Sequence, residues 1–146
     1  MSGSTAILIA MVLPLLGMPL IALTGRNANV RETVTLITAA LTFGTVITLV
    51  PAVMDGMQPT LHIIDVIPGL ALAFKVEPLG MLFALVASGL WIVTTVYAIG
   101  YMRGHHEENQ TRFFLFFAVA ISAALGVAFA GNMLTLFFCY EALTLS

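Results

Sequence analysis

The sequence predicts an all-α membrane protein: a multi-pass transmembrane helix bundle with four full helices, a truncated fifth and a short extracytoplasmic β-hairpin. Three observations carry that prediction. Charged residues make up only 8% of the 146 residues, and 60% are hydrophobic, where a soluble domain carries about 25% charged residues. The mean hydropathy is +1.08. The apolar stretches also recur at about the 20-residue length that a helix needs to cross a bilayer.

The first span is expected over about Thr5–Thr24. No basic n-region precedes it and no A-x-A site follows, so it reads as a retained helix rather than a cleaved leader. Pro14, Gly17 and Pro19 suggest a kink, tolerable where neighbouring helices satisfy the freed backbone groups. The second span is expected over about Thr33–Val53. The third, about Pro78–Tyr101, opens with proline at a favourable first helical position and Glu77 just before it. The fourth covers about Arg112–Ala130, and the fifth about Met133–Ser146, with Asn132 placed to cap it. No long repeat or low-complexity linker interrupts the chain, which reads as a single membrane domain.

Between spans two and three, residues 60–76 behave differently. Leu70, Leu72, Phe74 and Val76 alternate with Ala71, Ala73 and Lys75, and Pro68-Gly69 separates them from Leu61–Ile67. Period-2 alternation on either side of a Pro-Gly turn predicts a hairpin. An irregular amphipathic loop lying on the membrane is the other reading.

Orientation follows from the basic residues. Arg26 and Arg31 lie between spans one and two, Arg103 and Arg112 between three and four, and Lys75 on the opposite side. The arginine-rich side is expected to be cytoplasmic and the N-terminus outside. Formal net charge is −2 with no basic tract, which argues against nucleic acid as a partner. The single Cys139 excludes a disulfide or a cysteine metal cluster within the chain. No nucleotide loop, nucleophile triad or haem ligand pair is present, so no cofactor and no redox or hydrolytic centre of its own is expected.

Glu141 is the residue that demands an explanation. Counted from Asn132 at about 1.5 Å per residue it lies roughly 13 Å into the membrane, near the middle of a core about 30 Å thick. An acidic side chain there costs on the order of 3 kcal/mol before a partner is found. Two readings stand: a glutamate hydrogen-bonded to a neighbouring helix, or a member of a proton or ion pathway. No cation of this sequence falls at that depth, so a working site needs a basic partner from elsewhere. The run from Met133 to Ser146 reaches only about 21 Å at helical rise, so the fifth span is expected to be incomplete in this chain.

Other polar groups invite blander readings. His105, His106, Glu107 and Glu108 are adjacent and do not share a helix face, so a solvated loop is expected rather than a metal site. His62, Asp55 and Asp65 are expected in outer water. Asn109-Gln110-Thr111 matches a glycosylation sequon, but the orientation puts it inside. Ser122, Gly126 and Ala130, like Ala120, Ala124 and Ala128, recur every fourth residue as small-residue packing stripes. Phe113, Phe114, Phe116 and Phe117 read as anchors at the cytoplasmic boundary.

The segments VEPLG (76–80), YAIGYM (97–102), NQTRFF (109–114), AGN (130–132) and YEALTLS (140–146) resemble the N-terminal part of antiporter-like membrane subunits. That group comprises, foremost here, the subunits of Mrp-type multisubunit cation/proton antiporters. The proton-pumping membrane subunits of respiratory complex I and membrane hydrogenases also belong to it. The resemblance covers Leu72–Ser146, and the first 71 residues agree in layout only. It implies about fourteen helices, three leading ones and two inverted five-helix repeats, in the full subunit. It further implies that Glu141 matches a fifth-helix glutamate that pairs with a lysine on a later, broken helix and tunes that lysine's proton affinity. The matching lysine is not in this sequence. The resemblance therefore implies a plasma (inner) membrane complex, partner segments or chains supplying the remaining helices and a buried lysine, and transport of H+ with Na+ or K+. A small proton-coupled exporter and a non-transporting fragment or scaffold half are the alternatives.

Overall fold

A computed structural model describes residues 2–146. Helix α1 (Gly3–Leu23) is followed by α2 (Ala28–Met54), strands β1 (Thr60–Ile67) and β2 (Leu70–Lys75), and helices α3 (Pro78–His105), α4 (Gln110–Ala128) and α5 (Met133–Leu145). The first four helices are each long and apolar enough to cross a membrane, and α5 is a shorter apolar helix. The chain is thus a multi-pass helical membrane protein with one small sheet, the class the sequence predicts.

Local chemistry fixes most of the ends. Ser2 caps α1, its Oγ accepting from the Thr5 N–H at 3.4 Å. The helix runs through both Pro14 and Pro19 without interruption. Pro78 occupies the first turn of α3 after Glu77 at the cap. Helix α3 ends at His106, which adopts the left-handed conformation (φ 52°), one of the ways a helix terminates. The Pro68-Gly69 turn places Gly69 at φ 87°, the positive value that the third residue of such a turn requires. The strands pair antiparallel from Thr60↔Lys75 to Ile67↔Leu70, with register irregularities between His62 and Ile64 and between Asp65 and Ile67.

Helix α2 departs from expectation. It begins at Ala28 rather than near Thr33, so Arg31 and Glu32 sit inside its first turns and are buried. Arg103 likewise belongs to the last turn of α3 rather than to a loop. These charges are helical because each finds a partner across the bundle, so burying them does not strand them.

Helices α1 to α4 form a ring in which each packs on the next and α4 closes on α1, while α5 lies outside against α4 and touches β2. Each helix turns one seam inward. That of α3 is Met81, Ala84, Ser88, Trp91, Thr95 and Ala98, the alternating three- and four-residue spacing of bundle packing. Outward positions such as Leu16 (60% exposed) and Val93 (63%) are large and apolar, as a lipid-facing or subunit-facing surface requires.

Small residues bring the backbones close. A Cβ at Gly17 would lie 2.7 Å from Thr38 Cγ2, and one at Gly80 would run into the Ala128 carbonyl oxygen. Buried hydroxyls on the seams mostly satisfy themselves. Thr35, Thr42, Ser88 and Thr95 donate to carbonyls four residues back, at 2.6–2.9 Å. Ser122 is different: its Oγ donates across to the Met11 carbonyl of α1 at 2.6 Å, a hydrogen bond between helices of the kind that holds membrane bundles.

Candidate functional site

The hairpin and the start of α5 form one hydrogen-bonded unit. Asn132 caps α5, its Oδ1 accepting from the Thr135 N–H at 2.8 Å, while its Nδ2 donates to the Ala71 carbonyl at 2.6 Å. The Ala73 N–H donates to Thr135 Oγ1 at 3.0 Å. The Gly131 N–H donates to the Ala73 carbonyl at 2.9 Å, and the Lys75 N–H to the Phe129 carbonyl at 2.7 Å. Phe74 and Ala130 form an antiparallel bridge. Strand β2 therefore pairs with β1 on one edge and with the α4–α5 link on the other, and Thr135 is fully buried. The first turn of α5 is thereby fixed in height against the hairpin.

Glu141 lies on that helix, about 13 Å along its axis from the cap at helical rise. Its side chain is exposed on this chain and forms no salt bridge among the described residues. Its neighbours Phe137 (58% exposed) and Tyr140 (58%) are exposed with it. Lys75 Nζ is engaged at the hairpin end, 3.2 Å from Glu77 Oε1. The carboxylate therefore sits on an outward helix face, in a position to meet a group that is not among these residues.

A second polar cluster occupies the opposite end of the bundle. Arg31, with its side chain 6% exposed, donates from NH2 to Gln110 Oε1 at 2.8 Å and from NH1 to Thr111 Oγ1 at 3.2 Å. Its guanidinium stands over the Phe114 ring at 5.4 Å, a cation–π arrangement. Glu32 Oε1 is 3.7 Å from Arg31 NH2. The same carboxylate receives Arg103 in a fork, Nε to Oε1 at 3.0 Å and NH2 to Oε2 at 2.5 Å, while Arg103 also donates to Asn29 Oδ1. Gln110 Nε2 donates to the Glu107 carbonyl at 3.0 Å. The N-terminal turns of α2 and α4 and the last turn of α3 are thus joined by charge-assisted bonds, the strong kind. Reading Arg31 and Arg103 as loop charges missed this cluster. The signal was present: Arg31 falls on the same helical face as Thr35, Thr38 and Thr42.

The remaining candidates stay on the surface. His62 Nε2 is 3.0 Å from Asp65 Oδ1, both exposed. His105, His106, Glu107 and Glu108 are exposed, and the His105 ring stacks on Tyr101 at 4.3 Å. Cys139 is partly buried, against Gly126, where a Cβ would lie 2.7 Å from its Sγ. Among the described residues no group of three His, Cys, Asp or Glu side chains gathers as a metal site would.

Comparison with known proteins bears on this architecture at two levels. The family model described as the N-terminus of chain 5 of NADH–ubiquinone oxidoreductase (complex I), a proton-antiporter N-terminal domain, matches residues 69–114. That stretch runs from the hairpin turn into α4 and contains VEPLG, YAIGYM and NQTRFF. No curated protein matches the sequence. Among solved structures, a chain of the membrane-bound sulfane sulfur reductase, an archaeal respiratory membrane complex, superposes with a TM-score of 0.75 at 21% identity. The match covers 94% of the present chain and 21% of that one. At this identity the second likeness is one of fold. Together the two findings support the resemblance to antiporter-like membrane subunits.

Proposed function

We infer from this likeness that the chain is the N-terminal part of an ion-translocating subunit of a multisubunit membrane complex, and that Glu141 is its carboxylate on the proton pathway. One observation carries the reading. An ionisable group on a membrane helix stands at mid-depth, exposed on the chain's outer face and unpaired among the described residues, while the turn that sets its height is clamped to a hairpin. Intramembrane carboxylates that are retained at such a cost mark ion and proton paths. The partner cation, a buried lysine on a further segment or chain, completes the site.

In this proposal proton/monovalent-cation exchange is the activity of the assembled complex, with Na+ or K+ as the counter-ion. Redox-driven proton translocation is the second reading, favoured by the complex I description of the matching family and the respiratory complex of the fold neighbour. The arginine-bearing end, with Arg26, Arg31, Arg103 and Arg112, is the cytoplasmic one, and the N-terminus and hairpin are outside. The bilayer is the plasma (inner) membrane.

The test uses vesicles containing the whole complex. Glu141→Gln is expected to lower coupled proton flux by about tenfold or more, the scale of a positioned proton-transfer group, and Glu141→Asp to retain part of it. Flux driven by an imposed Na+ or K+ gradient supports antiport, and flux appearing only with an electron donor and acceptor supports the redox-driven reading. Wild-type flux in Glu141→Gln vesicles, under either driving force, removes the residue from the pathway.

A further inference from the structure

Between α2 and α3, at the arginine-bearing end, runs a cleft of about 430 Å³. Its rim carries Asn29, Thr33 and Arg103, and its floor, towards the middle of the span, carries Leu36, Val96 and Ile99. Val96 is 57% exposed, so the floor opens on the outward face of the bundle. We propose that this cleft binds one anionic phospholipid, its phosphate on Arg103 and Asn29 and an acyl chain along Leu36, Val96 and Ile99.

Arg103 is prepared for such a ligand. Nε and NH2 are held by the Glu32 carboxylate, and NH2 also by Asn29, which fixes the plane of the guanidinium. NH1 has no partner among the described residues, and the side chain is 48% exposed. A rigid fork with its third nitrogen open can donate to a phosphate oxygen without first losing conformational freedom. The Nδ2 of Asn29 is likewise unengaged among the described residues and lies beside it.

Charge decides the class of ligand. Arg31 and Arg103 share the single carboxylate of Glu32, so the cluster keeps one surplus positive charge. Arg31 is too buried for water to screen it fully, and the nearby field favours an anion over a zwitterion. A metal ion is disfavoured, because the one carboxylate at the rim is already occupied by a guanidinium. The order along the cleft, polar at the membrane boundary and apolar towards the core, matches a phospholipid lying parallel to the helices. Free phosphate would leave the apolar floor unfilled.

The complex containing this chain, reconstituted in phosphatidylcholine nanodiscs with a minority of phosphatidylglycerol, provides the test, with lipids retained after mild extraction counted by native mass spectrometry. Wild type is expected to retain one phosphatidylglycerol in preference to phosphatidylcholine. Val96→Trp, which fills the floor and leaves every polar partner in place, and Arg103→Gln, which removes the donor, should each lower that retention about tenfold, the ratio one charge-assisted bond or one well-filled apolar contact supplies. Excess inorganic phosphate should leave it unchanged. No preference for phosphatidylglycerol in wild type, wild-type retention in Val96→Trp, or displacement by inorganic phosphate would each overturn the assignment. Val96→Trp decides the matter if Arg103→Gln does not assemble.

Discussion

Glu32 shows how a single carboxylate can organise the end of a membrane bundle. Its side chain is 6% exposed and faces two guanidinium groups, Arg31 at 3.7 Å and Arg103 at 2.5 Å. Removing one member of such a set leaves the others buried without compensation, which is worse than removing opposite charges together. Glu32→Gln is therefore expected to destabilise the bundle by on the order of 1–3 kcal/mol, the range for an orphaned buried polar partner. The double variant Glu32→Gln/Arg31→Met should recover part of that loss, because the buried Arg31 cation goes with its counter-charge. Thermal unfolding in detergent, followed by the fluorescence of the lone, buried Trp91, measures both. Strictly additive losses would show that the pair is not coupled.

At the scale of elements, the hairpin is a brace for α5. Strand β2 gives its free edge to the α4–α5 link, and Thr135 Oγ1 accepts the Ala73 N–H in a buried position. Thr135→Val keeps the shape and removes the acceptor. Amide exchange at Ala73 should then accelerate by about tenfold, since an unmet buried donor costs about 1–3 kcal/mol, while the α1 and α2 amides keep their protection. Equal acceleration throughout would point to global unfolding and remove the brace. Much of this element was legible: Pro68-Gly69 marked the turn, period-2 alternation marked β2, and Asn132 marked the cap. The second bond of Asn132, to Ala71, was not, because local spacing carries no information about which strand edge meets a cap so far along the chain. The start of α2 was misplaced for the converse reason. Arg31 and Glu32 look like loop residues until α3 and α4 arrive to pair them, so their helical face outweighed their charge.

For the whole molecule, the ring of α1 to α4 accounts for its own buried polar groups almost completely, with Arg31 Nε and Trp91 Nε1 the buried side-chain atoms left unpartnered among the described residues. Helix α5 is unlike the ring. It has Thr135 as its one buried residue, and Phe137, Tyr140 and Glu141 look outward. A bilayer can cover the aromatics, but a carboxylate at mid-depth costs on the order of 3 kcal/mol in lipid, and no cation among the described residues pairs with it. The sequence made that need visible, through the depth of Glu141 and the scarcity of lysine, yet no spacing within the chain could identify the group that meets it. Mildly solubilised source membranes should therefore yield a particle in which this chain accompanies, or is continuous with, a polypeptide carrying a lysine within an apolar span. Intact-mass measurement of that particle, combined with cross-linking from a cysteine placed at Phe137 or Tyr140 towards that lysine-bearing span, checks both composition and contact. Contact on the α5 face makes the Glu141–lysine pair the working site. A particle holding only the chain, with both introduced cysteines reacting freely with lipid-soluble reagents, would leave Glu141 facing lipid and take the proton-pathway reading down with it.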